Sequence, residues 1–170
     1  SYLFSLPSPK LFYIYVMHIF EENIKKLDLK IPDMPTPIAN YAPFKVADKT
    51  VYVSGQGPVI DGKILYIGKV GVDISEVDGI KAAETCCINI IAALKTSIDG
   101  DWDRLDSFLK LGGFVNCNDN FTNQPKIING ASDLLVNIFG DKGRHSRFAV
   151  GSNALPLNIS VEIDAIIKIK

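Results

Sequence analysis

The spacing of apolar residues along the chain marks its elements in turn. Apolar positions at Phe20, Ile24 and Leu27 predict a short helix between Phe20 and Leu29. The next stretch, "IPDMPTPIANYAPF", carries prolines at 32, 35, 37 and 43. It reads as an extended lead-in, because proline fixes its own φ and restricts the residue before it. "KTVYVSGQGPV" alternates and then meets Gly55 and Gly57, as a strand does that runs into a turn. "IDGKILYIGKVG" follows, with Asp61-Gly62 as a hairpin signal. A long helix is predicted from Ser75 to Ile98, where Ile80, Ala83, Cys87, Ile90 or Ile91, Leu94 and Ile98 recur in helical steps. "DGDWDR" ends it, and "SFLKLGGFVN" reads as a strand whose glycine pair marks a bulge or a close backbone approach. "FTNQPKIINGASDLLVNIFG" predicts a second helix. Pro125 suits its first turn, Ile128, Ala131, Leu135 and Ile138 its buried face, and Gly140 its C-cap. Two strands follow, near residues 147–151 and 160–169.

After the short first helix the order is therefore β-β-β-α-β-α-β-β. That pattern predicts an α+β domain, a sheet with two long helices on one face. The last strand alternates: Val161, Ile163, Ala165, Ile167 and Ile169 form one face, and Glu162, Asp164, Ile166 and Lys168 the other. The second face is mixed, which suggests cover by something other than the helices, and a partner subunit is expected. No repeat or linker divides the chain, so residues 17–170 read as one domain and residues 1–16 as an N-terminal extension. The apolar run Leu11–Met17 is too short to span a bilayer, which takes roughly 20 residues, and no A-x-A-like cleavage site follows it. A cytoplasmic protein is expected, with the apolar N-terminal run leaving organellar or secretory targeting open.

Composition narrows the function. Of 170 residues, 47% are hydrophobic and 22% charged, which fits one globular domain with a substantial core. Lys and Arg total 18 against 19 Asp and Glu, and a net charge of −1 argues against a protein that coats nucleic acid. One basic cluster stands out: Lys142, Arg144, His145 and Arg147. Cys86, Cys87 and Cys117 form no paired metal-ligand spacing and read as buried thiols of a reducing compartment. Candidate chemistry concentrates near the C-terminal strands. Arg147 heads the apolar run "RFAV", and Glu162 sits one residue into "SVEIDAIIKIK", two segments that read as facing strands. Ion pairs of this kind add little when exposed and are costly when buried, so the two residues raise the question of a site.

Three stretches together, "ANYAPFKVADKTVYVSGQGPV", "FVNCNDNFTNQPKIINGASDLLVNIFG" and "RHSRFAVGSNALPLNISVEIDAI", resemble the RidA/YjgF (endoribonuclease L-PSP) family, and its longer branch in particular. The resemblance spans about residues 17–170, and its specific part is R-x-x-V-x(4)-L-P-x(4)-V-E-I-[ED]. It implies a chorismate-mutase-like fold and a homotrimer whose sheets form a central barrel, with clefts between neighbouring subunits. It also implies hydrolysis of reactive 2-imino or 2-enamino acids to 2-keto acids and ammonia, with neither metal nor cofactor. The expected partners are a small 2-imino or 2-keto acid and two further copies of the chain, not a membrane or nucleic acid. In this reading the guanidinium of Arg147 holds the substrate carboxylate as a planar fork, and Glu162 orients the attacking water. Tyr41, Gly55, Phe114, Asn129 and Ser132 are the substrate-binding candidates. Tyr41 matches an aromatic of the family's N-terminal motif, and Gly55 a glycine whose backbone approaches the substrate. Ser132 stands where many members have asparagine, Leu135 where they have tyrosine and Ala149 where they have cysteine. Those departures keep in view a trimer that binds small carboxylates or a partner protein without catalysis. Part of the family is named for cleavage of RNA or inhibition of translation, a second alternative for which the sequence offers only His18 and His145 and no aromatic stacking platform among basic residues.

Overall fold

The computed structural model describes residues 16–34 and 40–170. Pro35 and Pro37 of the lead-in, and residues 1–15 of the expected extension, lie outside the described residues. The elements are α1 (Ile19–Lys26), β1 (Phe44–Ala47), β2 (Thr50–Gln56), β3 (Val59–Ile60), β4 (Lys63–Ile64), α2 (Glu76–Ser97), β5 (Leu105–Asn116), α3 (Gln124–Phe139), β6 (Ser146–Ser152) and β7 (Val161–Ile169). One strand, β1, joins the expected order. It forms a hairpin with β2 through Asp48-Lys49, both at positive φ (46° and 61°), as a two-residue turn of the I′ kind requires. Neither residue is the glycine that usually signals such a turn. Asp61-Gly62, which does carry the signal, joins β3 to β4 as expected, with φ of 49° and 75°.

The main sheet runs β1-β2-β7-β5-β6. All its pairings are antiparallel except β5 with β6, where α3 provides the crossover that parallel neighbours need. β7 occupies the centre. Val161, Ile163, Ala165, Ile167 and Ile169 are buried under the helices, and Glu162, Asp164, Ile166 and Lys168 point to the opposite face. Both long helices cover the first face. α2 begins at Ser75, whose Oγ accepts from the Asp78 amide at 3.1 Å, the N-cap arrangement that satisfies an orphan amide. α3 begins with Pro125 in its first turn and ends at Gly140, with φ 60°.

α2 and α3 meet closely because Gly130 offers no side chain. A methyl there would lie 2.3 Å from the carbonyl oxygen of Ile80. The starts of the two helices are tied together as well. Glu76 accepts from Lys126 Nζ at 2.7 Å and from Asn123 Nδ2 at 2.9 Å. In β5 the glycine pair serves close approach and not a bulge. A methyl on Gly113 would lie 2.8 Å from Ile128 of α3, and one on Gly112 would lie 2.3 Å from Asp164 Oδ1 on the other face. The irregularities of β5 fall earlier, at Leu105–Ser107 and Phe108–Lys110. At the far end α1 is pinned by aromatic packing, Phe20 on Phe139 at 5.0 Å and Trp102 on Phe139 at 5.7 Å between ring centres.

Candidate functional site

Arg147 pairs with Leu111 across the β5–β6 ladder, and Leu111 belongs to the face covered by the helices. The arginine therefore points toward α3, which presents three acceptors. Nη1 donates to Ser132 Oγ at 3.0 Å, and Nη2 donates to Asn129 Oδ1 at 2.9 Å and to the Pro125 carbonyl at 3.3 Å. Asn129 and Ser132 lie one turn apart on the same side of the helix, the spacing that lets both reach one partner. A guanidinium carries about five N–H donors, so Arg147 is held in a fixed plane and still has donors left for a ligand.

His145 joins this group, a role its place in the sequence does not announce. Its Nδ1 lies 2.6 Å from the Gly143 carbonyl oxygen, and its Nε2 lies 2.9 Å from Ser132 Oγ. A carbonyl can only accept, so Nδ1 carries the proton. The bare Nε2 of the neutral ring then accepts from the serine hydroxyl. Burial pushes the imidazole pKa below its ordinary value. The Gly143 carbonyl opposes that shift, and the Arg147 charge adds to it. The rest of the basic cluster turns away: Lys142 donates to the Leu105 carbonyl, and Arg144 pairs with Asp141 at 3.1 Å. The signal in the sequence is the two-residue step from His145 to Arg147 at a strand start, which sends both side chains to one face.

The remaining candidates lie on the other face of the sheet. Glu162 pairs with Phe114, whose ring is exposed and packs edge-on against Phe148 at 5.2 Å. The backbone of Gly55 runs directly beneath the Glu162 carboxyl, since a methyl on Gly55 would lie 2.2 Å from Glu162 Oε1. Tyr41 is 62% exposed and sits in a loop tied to the same strand. There Ser54 Oγ donates to the Ala42 carbonyl at 2.7 Å and the Ser54 amide to the Pro43 carbonyl at 2.9 Å. Burial raises the Glu162 pKa, and the neighbouring Asp164 raises it further.

The expectation that the strands of Arg147 and Glu162 face each other is thus corrected. β5 lies between β6 and β7, and the two side chains leave the sheet on opposite faces. The structure gathers Arg147, Asn129, Ser132 and His145 on one side and Glu162, Gly55, Phe114 and Tyr41 on or beside the other. Among the described residues no helix is long and apolar enough to cross a membrane.

Comparison with known proteins supplies the wider setting. The family model described as "YjgF/chorismate mutase-like, putative endoribonuclease" matches residues 21–166. A curated relative, protein TCP17 of Trypanosoma cruzi, is 35% identical over 148 residues, covering 86% of this chain and 92% of the relative. Among solved structures, the protein Atu1372 of unknown function from Agrobacterium tumefaciens is 42% identical with a TM-score of 0.84, covering 89% of this chain and 93% of that one. A protein from Shewanella oneidensis that bears the same endoribonuclease designation is 32% identical with a TM-score of 0.84, covering 89% of this chain and 99% of its own. The matched span takes in both helices and nearly all of the five-stranded sheet, together with every candidate residue on either face. The chain belongs to the YjgF/chorismate mutase-like family and has its α+β fold.

Proposed function

We propose that the protein hydrolyses 2-imino and 2-enamino acids to 2-keto acids and ammonia, in clefts between the subunits of a homotrimer. The observation that carries this reading is the Arg147 guanidinium, locked by Ser132, Asn129 and the Pro125 carbonyl with donors to spare. A planar, pre-oriented fork suits the carboxylate that every 2-imino acid carries. The reaction asks little covalent work of the protein, because a protonated imine is already electrophilic. Holding the carboxylate aligns the adjacent carbon with a water, and alignment is where the rate is gained.

The two faces of the sheet support a shared cleft. One chain cannot bring Glu162 to the substrate held by its own Arg147, because the sheet lies between them. A neighbour can, if its uncovered face, with Glu162, Gly55 and Phe114, packs against the β6 edge. The exposed Tyr52, Phe114 and Val150 on or beside that face give the contact its apolar area.

The test is keto-acid release from enzymatically generated imines, with an RNA-cleavage assay beside it because relatives carry the endoribonuclease designation. Arg147→Ala should lower deamination by at least about 100-fold, or about 2.7 kcal/mol in barrier, with the oligomer intact. Arg147→Lys should recover only part, since an ammonium cannot reproduce the fork. An Arg147→Ala oligomer as active as the parent refutes the reading. A sedimentation measurement that finds only monomer at micromolar concentration refutes the shared cleft.

A further inference from the structure

We propose that Ser132 and His145 form a proton relay beside the carboxylate clamp: Ser132 takes the proton of the attacking water as it passes its own to His145. The inference rests on the deaminase reading above, and it names the group that moves the proton. Geometry carries it. A serine hydroxyl 2.9 Å from an imidazole nitrogen, with the opposite ring nitrogen fixed by a carbonyl at 2.6 Å, is a hydroxyl, a base and an orienting group in line. Arg147 Nη1 stands 3.0 Å from the same hydroxyl oxygen. A carboxylate bound by that guanidinium brings its neighbouring carbon, the imine carbon, to the serine. Glu162 of the same chain is on the far side of the sheet, so within one chain the base nearest the clamp is His145, and a neighbour's Glu162 keeps the separate task of orienting the water.

The steps balance. Water adds to the iminium carbon, its proton passes through Ser132 Oγ to His145 Nε2, and a neutral carbinolamine remains. The imidazolium returns the proton through Ser132 to the amine nitrogen. Ammonia then leaves as the hydroxyl becomes a carbonyl, and the hydroxyl proton ends on ammonia as ammonium. Iminium and water have become keto acid and ammonium, and the pair is back in its starting state.

A base must be unprotonated to accept, and burial favours the neutral ring here. The groups around the ring are accounted for. β6 presents the Arg147 guanidinium, α3 the Ser132 hydroxyl, and the turn before β6 the Gly143 carbonyl. Lys142 and Arg144 are engaged elsewhere, at the Leu105 carbonyl and Asp141.

The test compares parent, Arg147→Ala, His145→Gln and Ser132→Ala in the keto-acid assay across pH 5 to 8. Glutamine can accept the serine hydrogen bond but cannot take up a proton. His145→Gln should therefore lose about 100-fold in kcat with KM changed less than about two-fold, since a general base contributes that order of rate. Parent kcat/KM should fall with acid through a pKa below the ordinary imidazole value of about 6.5, a limb absent from His145→Gln. Ser132→Ala should lose at least about ten-fold while the melting temperature is held. A parent with no imine hydrolysis sinks the deaminase reading and the relay with it. An active, Arg147-dependent parent whose His145→Gln variant matches it in kcat and pH profile overturns the relay alone.

Discussion

Replacing Gly130 with alanine sets two rules against each other. In an exposed helix interior the change stabilises by about 1 kcal/mol, because alanine loses less backbone freedom on folding. At Gly130 the new methyl would lie 2.3 Å from the Ile80 carbonyl oxygen. A carbon normally stays about 3.3 Å or more from such an oxygen, so α2 and α3 must part by about 1 Å where they cross. The obstacle is backbone inside a helix, which cannot swing aside as a side chain can. Overpacking costs about 1–3 kcal/mol, and rigidity on both sides puts this case at the upper end. The net expectation is a loss of about 1–2 kcal/mol, which for a chain of this size lowers Tm by about 2–8 °C. Gly130 also lies between Asn129 and Ser132, so the acceptors for Arg147 move with it. Urea and thermal unfolding at matched protein concentration measure the first effect, and keto-acid release the second. A Gly130→Ala variant more stable than the parent by about 1 kcal/mol would show that propensity governs and that the two helices do not touch there.

Glu162 offers a pH-resolved experiment. Its folded pKa is raised by burial and by Asp164, so the stability tied to its protonated form is present below about pH 4.3 and lost as pH rises through the folded value. Glu162→Gln cannot ionise, so it should melt higher than the parent at pH 7, with the difference closing by about pH 4. Turnover should slow at the same time, and a variant that melts no higher at pH 7 contradicts the burial argument. Gly55→Ala should push the Glu162 carboxyl aside at little cost in stability, within about 1 kcal/mol, because only the end of a flexible side chain must move. Unchanged turnover in that variant would separate Glu162 from the reaction. Cys86 and Cys87 are fully buried, with their thiols pushed well above ordinary values, and should escape thiol reagents at pH 8 until denaturant is added. Mass spectrometry of the labelled protein checks this, and rapid labelling of the native chain refutes it.

The elements with regular apolar spacing are legible in the residues themselves. The stripe of α3 and the alternation of β7 each follow from one period and one buried face. β1 is not legible in that way, because the Asp48-Lys49 turn reaches its positive φ without glycine, and nothing local in "FKVA" marks an exposed edge. The candidate site is legible as residues and not as geometry. Arg147 and Glu162 are near in sequence, and neighbours in sequence suggest neighbours in space. The parallel pairing of β5 with β6 breaks that rule by sliding a strand between them, an outcome set by long-range contacts. His145 is hidden for a related reason, since its meaning depends on Ser132, which arrives on a different element.

The central place of β7 has a bearing on how the molecule is made. α2, β5, α3 and β6 are all synthesised before Val161, yet β2 and β5 each rely on β7 as the strand between them. Until it emerges the nascent chain carries two open strand edges and two helices with apolar stripes and no finished sheet to cover. Such edges invite pairing with other chains. Folding of this domain is therefore gated by its last strand, and a nascent chain stalled before Val161 should stay protease-sensitive and bound to chaperones. Emergence of all nine residues of β7 would close the gap and let the domain fold in one cooperative step.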